Sequence, residues 1–391
     1  MSTSKNLLRD FIRTHLILQE QVKKKFDMQL PADLLVISNT FKEAGHQLYV
    51  VGGSVRDVLQ GKTPHDYDLA TDAVPDKVIE ILHGYKLLGV GKSFGVIVVM
   101  TPEGGEYEVA TFRKDLSAGR RPDAVEFTDI ENDVKRRDLT INALFYDIDK
   151  HEIVDYVGGI EDIKNGVIRT VGDPRARFNE DRLRILRALR FAARSGSKLD
   201  PETSAAISRD NTLKGVSPER IRDEFLKGVK SARSPVRFLD MIESHGLWPQ
   251  VFPGLIVTPL TEETSNIPVL LSLVLRDNNV QIVSKRLNAL KYSADEVTAV
   301  TFLLKLKDIT VDTAFRLKKA FATSRLSNLD VEVFIDKLNG SAAFNDMAAA
   351  FIDYRLTVTG DQLMKDGFTG AALGKELERR ETELFMNLLD S

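Results

Sequence analysis

Two aspartates one residue apart, Asp66 and Asp68, lie in the run HDYDLAT. On an extended segment residues i and i+2 point to the same side, so these two carboxylates face the same space. Such a pair repels itself unless a cation sits between its members. Hard oxygen donors of this kind suit Mg²⁺, which keeps several waters and takes phosphate oxygens as further ligands. A third carboxylate comes from the later run EYEVATF, where Glu106 and Glu108 share a face; Glu108, deeper in the apolar run, is the better placed. For the two aspartates taken alone, a solvated acidic turn is the competing account.

Fifteen residues upstream the chain reads VVGGSVRDVL. A strand that ends in Gly52-Gly53 and runs into a helix leaves backbone N–H groups free and lets a ligand approach closely. Arg56, one turn into that helix, adds charge-assisted hydrogen bonds, a combination suited to a phosphate. A glycine turn, an arginine and a metal-binding carboxylate pair together imply nucleotidyl transfer by two metals. One lowers the pKa of an attacking hydroxyl and the other stabilises the leaving pyrophosphate. In this reading Asp66, Asp68 and Glu108 are catalytic, Asp66 and Asp68 hold the metal, and Gly52, Gly53 and Arg56 hold the triphosphate. A dinucleotide-binding turn is rejected because G-G-x-x-R lacks the third glycine of that fingerprint.

These residues need a scaffold, and the pattern supplies one. Up to about residue 155 short β-rich runs alternate with helices. LYVVGG, DYDLAT, FGVIVVM and EYEVATF read as strands, and Gly104-Gly105 as a hairpin turn. VPDKVIEILHG reads as a helix stopped by Gly84. Beyond about residue 175 the chain reads as helical, with Asn179, Asp200, Ser217 and Ser234 as N-caps, the last three followed by proline. No fixed-period repeat and no low-complexity segment interrupts it. The fold class is α+β: a small N-terminal head with a mixed β-sheet and helices, then an all-α remainder.

The chain has 391 residues, 43% of them hydrophobic, which suggests two to four domains. No apolar run approaches the roughly 20 residues of a membrane span, and the charged N-terminus lacks a signal-peptide pattern. With no cysteine, disulfides and thiolate metal sites are excluded, and a cytoplasmic protein is expected. The net charge of −3 does not by itself point to nucleic acid, but its distribution does. From Arg169 to Lys198 nine basic residues face only Asp173, Glu180 and Asp181; FRKDLSAGRRP and Lys135-Arg136-Arg137 are further basic clusters.

GGSVRDVLQGKTPHDYDLAT resembles the signature of the class II tRNA nucleotidyltransferase and bacterial poly(A) polymerase family, within the polymerase-β superfamily. The resemblance continues in order through RRDLTINAL (136–144), DYVGGIEDI (155–163), EDRLRILRALRFAAR (180–194) and SPERIRDEF (217–225). It implies a seahorse-like arrangement: a catalytic nucleotidyltransferase head over 31–155, a nucleotide-selecting neck over 156–230, a helical body over 231–310 and a tRNA-binding helical tail over 311–391; residues 1–30 read as an added N-terminal helical extension. It also implies that Asp66 and Asp68 are the metal ligands, and that Arg137, Asp138 and Asn142 recognise the ribose, Asp138 accepting from a 2′-hydroxyl. Mg²⁺ is the implied cofactor; CTP, ATP and the tRNA 3′ end are the implied partners.

Asp181 and Arg184 are spaced i, i+3, neighbours on a helix. A carboxylate accepts from the amino group of cytosine or adenine, and a guanidinium donates to the adjacent ring nitrogen. Guanine and uracil present the reverse pattern, so the pair selects C and A with no nucleic-acid template, as the family does. Glu180 and Asp181 in a first helical turn would also serve the helix dipole. Arg187, Arg190 and Arg194 share one arc of the same helix, with Ile185, Leu189 and Ala192 on another. That arginine face suits phosphates: Arg187 is assigned to the nucleotide and Arg190, with Arg120 and Arg121, to RNA. For Arg194 a solvated face competes.

GRRPDAVEF resembles the loop region of CCA- and A-adding enzymes, and the run from Arg113 to Arg120 is slightly shorter than is usual there. The expected reaction is addition of C, C and A to the RNA 3′ end from CTP and ATP. CC-only or A-only addition and poly(A) synthesis share the chemistry, and an inactive RNA-binding protein is the alternative of another class. The presence of both Asp66 and Asp68 argues against the last. His245, the one histidine of the C-terminal half, is expected to cap or pack beside Trp248. Oligomeric state is not readable.

Overall fold

The structure, a computed structural model, describes residues 22–91, 94–115 and 125–390. The chain divides into two compact units, Met1–Val216 and Ser217–Ser391. This boundary falls inside the neck expected over 156–230, so the head and the greater part of that neck belong to one unit.

The first unit is built on a mixed eight-stranded sheet. Its strands are β1 (Val22–Lys25), β2 (Leu48–Val51), β3 (Asp68–Thr71), β4 (Lys86–Gly91), β5 (Val96–Met100), β6 (Glu106–Thr111), β9 (Phe145–Asp147) and β10 (Glu152–Asp155), with β7 (Arg113–Asp115) and β8 (Val125–Phe127) forming a separate hairpin. The sheet order is β1-β10-β9-β2-β3-β6-β5-β4, and within it only β3 and β6 run parallel. The four runs read as strands from sequence are β2, β3, β5 and β6, and the Gly104-Gly105 turn joins β5 to β6 with Met100 opposite Glu106. Strand β1 departs from the helical extension expected over 1–30: residues 1–21 lie outside the described residues, and Val22–Lys25 form an edge strand. Its lysines charge that edge, a common protection against unwanted pairing, and Lys23 and Lys25 reach Glu152 at 4.0 and 3.9 Å.

Alternation along β2 splits the core between the two sheet faces. Leu48 and Val50 join Leu34, Ile37 and Phe41 of α1 (Ala32–Glu43) on one face. Tyr49 and Val51 join Ala70, Phe112, Val134 and Phe145 on the other. Helices α2 (Gly53–Leu59), α3 (Pro75–Ile81), α4 (Ile130–Lys135) and α5 (Gly159–Asn165) complete the head. They lead through a short parallel pair, β11 (Val167–Ile168) with β12 (Lys198–Leu199), and through α6 (Pro174–Glu180), α7 (Leu183–Ser195) and α8 (Pro201–Arg209).

The helix starts correct one expectation. Asp200, Ser217 and Ser234 each accept from a backbone N–H of the first helical turn, as expected. Asn179 does not cap; it lies within α6, whose cap is Asp173 followed by Pro174. The helix expected to run from Asn179 through Arg194 is therefore two helices, broken where Asp181 takes an extended conformation (φ −151°, ψ 105°).

Among its described residues the second unit is all helical, from Pro218–Ser231 to Gly370–Leu389. Phe225, Phe238, Trp248, Phe252 and Tyr292 form one aromatic cluster, with centroid separations of 5.3–6.5 Å. Gly228 permits it, since a Cβ there would meet the Phe238 ring at 2.2 Å. His245 ends the Pro235–Ser244 helix with Nδ1 2.7 Å from the Met241 carbonyl oxygen. Among the described residues no helix is long and apolar enough to cross a membrane.

Candidate active site

The glycine turn takes the form its sequence suggests. Gly52, at φ 70° and ψ −119°, caps α2 in a conformation that is essentially open to glycine alone. Its N–H donates to the Leu144 carbonyl at 3.1 Å, fixing the turn against the segment before β9. Arg56, expected to bind a phosphate, is largely engaged with protein. It is 5% exposed, lies 5.1 Å from the Phe191 ring centroid, and turns its guanidinium inward. Nε and Nη2 donate to Asp57 Oδ1 at 2.9 and 2.7 Å, and Nη1 donates to Asn142 Oδ1 at 2.5 Å. Three of its five N–H groups are thereby used.

Asp68 opens β3 opposite Val51, and Asp66 precedes it in the connecting loop. Leu69 pairs with Val109 in the parallel register, so Asp68 and Glu108 stand side by side at the preceding step, whereas Glu106 lies further out, opposite Met100. Asp66, Asp68 and Glu108 are all solvent-exposed. The protein crowding around the Asp68 carboxyl, then the like charges of Asp66 and Glu108, raise its pKa above the ordinary aspartate value, and Arg137 opposes them. A carboxylate destabilised in this way suits a divalent cation. The three are not drawn together, however: among the described residues no group of three or more acidic or histidine side chains is gathered closely enough to hold a metal ion.

The RRDLTIN segment ends α4 and forms a 3-10 turn at Thr140–Asn142. Arg137 donates through Nε and Nη2 to Asp133 Oδ2 at 3.1 and 3.0 Å, and through Nη1 to the Asn142 carbonyl at 3.2 Å, with its guanidinium 4.6 Å from the Phe145 ring centroid. Asp138 receives Arg187 Nε on Oδ2 at 2.7 Å, and the Leu139 N–H and Asn142 Nδ2 on Oδ1 at 2.8 and 3.3 Å. Burial alone would raise its pKa; the Arg187 guanidinium and the Asn142 amide outweigh burial and hold it at about 2. Asp138 is thus an ionised acceptor at neutral pH. Arg187 Nη2 also lies 2.7 Å from Oδ2, so all of its roughly four lone-pair positions face protein donors, and a ligand hydroxyl would have to displace one of them.

Helix α7 carries the arginine face and a buried apolar face: Ile185, Leu189 and Ala192 are fully buried. Arg187 reaches Asp138, and Arg194, two turns on, reaches Asp57 Oδ2 at 3.4 Å. Arg190 is only 8% exposed and lies 4.2 Å from the Phe191 centroid, so it faces protein and departs from the RNA-contacting role expected of it. The expected base-reading pair is also rearranged. Asp181 sits in the break before α7, its Oδ1 accepting from the Leu183 N–H at 3.1 Å. Arg184 donates to Glu180 Oε2 at 2.6 Å and to the carbonyls of Arg136 and Arg177. The two are therefore not paired side by side on one helix. Arg120 and Arg121 lie outside the described residues.

The structure adds residues that the sequence reading left aside. Asp57 braces Arg56, Asp133 braces Arg136 and Arg137, and Glu180 braces Arg184. A signal existed for the last two in the i, i+4 spacing of acid before arginine, although neither pair lies wholly within one helix. Phe191, under the guanidiniums of Arg56, Arg187 and Arg190, carried no such signal.

Residues 48–169 match the poly(A) polymerase head domain, and residues 196–257 match the probable RNA and SrmB-binding site of polymerase A. Fold and match together define a nucleotidyltransferase with a poly(A) polymerase head. A CCA-adding enzyme of Lactobacillus helveticus is 35% identical over 367 residues, which cover 88% of this chain and 90% of that protein. The crystal structure of the Bacillus stearothermophilus CCA-adding enzyme in complex with CTP matches with a TM-score of 0.70 at 28% identity, over 93% of this chain and 94% of that one. A poly(A) polymerase I of Escherichia coli O6:H1 is 36% identical over 266 residues, 63% of this chain and 56% of that protein. The chain belongs to the CCA-adding enzyme family.

Proposed function

We propose that this protein adds C, C and A to the 3′ end of tRNA from CTP and ATP without a nucleic-acid template, in the cytoplasm. The observation that carries the reading is the placement of Asp68 beside Glu108, on the sheet face that Arg137 shares, at the end of the strand paired with the one leading into the Gly52 turn. The extent of the match supports CCA addition over poly(A) synthesis. It spans nearly the whole chain for the CCA-adding relative and only part of both chains for the poly(A) polymerase.

Asp66 and Asp68 would hold Mg²⁺, with Glu108 as the third carboxylate, and the three exposed side chains must turn towards one another to do so. When bound there, the ion supplies activation of the attacking ribose hydroxyl and neutralisation of the leaving pyrophosphate. The Gly52 turn and the remaining donors of Arg56 receive the triphosphate, with Arg187 nearby. Asp138, held ionised, accepts from the ribose 2′-hydroxyl, and Arg137 and Asn142 keep it in place. Base selection falls to Asp181 and Arg184, which must turn from their present partners towards the base. The head, neck, body and tail divide at about 155, 230 and 310, the tail serving tRNA.

Competition binding tests the nucleotide side of this reading. CTP and ATP are expected to displace one another from a single site in the presence of Mg²⁺, while GTP and UTP displace neither. Equal binding of all four would contradict it.

A further inference from the structure

The ion pair between Arg194 and Asp57 is used by nothing above. Asp57 follows Arg56 on α2, and Arg194 lies in the last turn of α7, 137 residues away in sequence. Both Arg56 contacts to Asp57 fall on one oxygen, Oδ1. A carboxylate held through one oxygen turns about its Cβ–Cγ bond, and the guanidinium bound to it turns with it. Arg194 Nη2 engages the other oxygen, Oδ2, at 3.4 Å from a different helix. The carboxylate is then fixed at both ends, and Arg56 with it.

This contact also closes a ring. Asp57 binds Arg56, Arg56 binds Asn142, Asn142 binds Asp138, and Asp138 binds Arg187. Arg187 and Arg194 stand two turns apart on α7, so the helix itself completes the circuit. The ring holds the glycine helix, the 3-10 turn and α7 in register around Phe191. Its cations outnumber its carboxylates, three arginines against Asp57 and Asp138. Burial lowers the pKa of Arg56; Asp57 opposes this, and the nearby Arg194 and Arg190 add to the lowering, the mark of a place short of anions.

We propose that Arg194 is a positioning residue for the nucleotide triphosphate: through Asp57 it fixes the direction of Arg56, and it does so equally for CTP and ATP because it stands away from the base. The proposal rests on the function given above. Asp57 and Arg194 are partly solvent-exposed, at 14% and 33%, so the pair has the modest strength of a surface ion pair.

Steady-state addition kinetics on a tRNA transcript test it, with the melting temperature measured alongside. Arg194→Gln is expected to raise KM for CTP and ATP by the same factor, roughly three- to fivefold, with kcat little changed. Arg194→Lys, which keeps the cation, is expected to recover most of that loss. Asp57→Asn is expected to raise KM at least as far, and the Arg194→Gln/Asp57→Asn double variant no further, since both act on one contact. Unchanged KM in both Arg194 variants overturns the proposal, as does a change confined to one nucleotide or an additive double variant. Should Arg194→Gln fail to fold, Arg194→Met, which keeps the apolar stem without the cation, decides in its place: an equal rise in KM for both nucleotides supports the proposal, and no rise overturns it. A wild-type protein that adds no nucleotide refutes the functional reading itself, a result distinct from insensitivity to Arg194.

Discussion

Arg56 and Asn142, 86 residues apart in the chain, are joined by a 2.5 Å hydrogen bond from guanidinium to side-chain carbonyl. The same Asn142 amide donates to Asp138 at 3.3 Å. One short side chain therefore ties the helix beneath the glycine turn to the carboxylate assigned to the ribose. On the proposed assignments, triphosphate and sugar handling would be coupled through a residue with no charge of its own.

Replacing Asn142 tests the coupling. Asn142→Ala removes the acceptor of a buried guanidinium and a donor to a largely buried carboxylate, bonds worth about 1.5–3 kcal/mol when one partner is charged. A fall in kcat/KM of roughly 10- to 100-fold is expected, the same for C and A addition. Loss of one nucleotide alone would place Asn142 in base selection instead.

Gly52 tests the turn. A Cβ there would stand 3.7 Å from Arg137 Nη1 and 3.8 Å from the Asn142 carbonyl, ordinary contact distances. The obstacle is its backbone, at φ 70° and ψ −119°. Gly52→Ala is expected to cost about 1–3 kcal/mol in urea unfolding and to impair nucleotide binding. A neutral substitution would show that the turn relaxes without glycine.

Asp68 tests the trade between function and stability. Its carboxylate suffers crowding and the like charges of Asp66 and Glu108. Asp68→Asn is expected to abolish addition while leaving the melting temperature in a chelator unchanged or slightly raised, the gain being small because the group is exposed. A marked drop in melting temperature would make Asp68 structural.

Asp138 has a pH signature. Its folded pKa, about 2, lies below its unfolded value. A depressed carboxylate contributes stability that is present above the unfolded pKa and lost as pH falls through the folded one. Wild type is therefore expected to exceed Asp138→Asn in the free energy of urea unfolding at pH 7, by an amount on the order of 2 kcal/mol, and to lose that advantage progressively between about pH 4 and pH 2. A difference independent of pH would assign the effect to packing.

The parts of this fold legible in the sequence are those set by local chemistry. The Gly52-Gly53 turn, the Gly104 hairpin and the caps at Asp200, Ser217 and Ser234 follow from backbone needs that a few adjacent residues satisfy. The break at Asp181 was not legible, because the arginine and leucine spacing on either side reads as one periodic helix; the structure resolves it through an aspartate that ends α6 and caps Leu183. Strand β1 was hidden by its lysines, which suit an edge and carry no apolar alternation. Nor did any local pattern tell that Arg56 turns inward, since its partner Asn142 is brought to it only by the folded sheet.

The central claim is the reaction. It is tested most directly by incubating the purified protein with Mg²⁺ and tRNA transcripts ending at the discriminator base, after one C or after two, supplying CTP and ATP separately and together, and sizing the products to one nucleotide. Addition of C, C and A followed by arrest is the expected result. Long A tails, or no extension by wild-type protein, would contradict it.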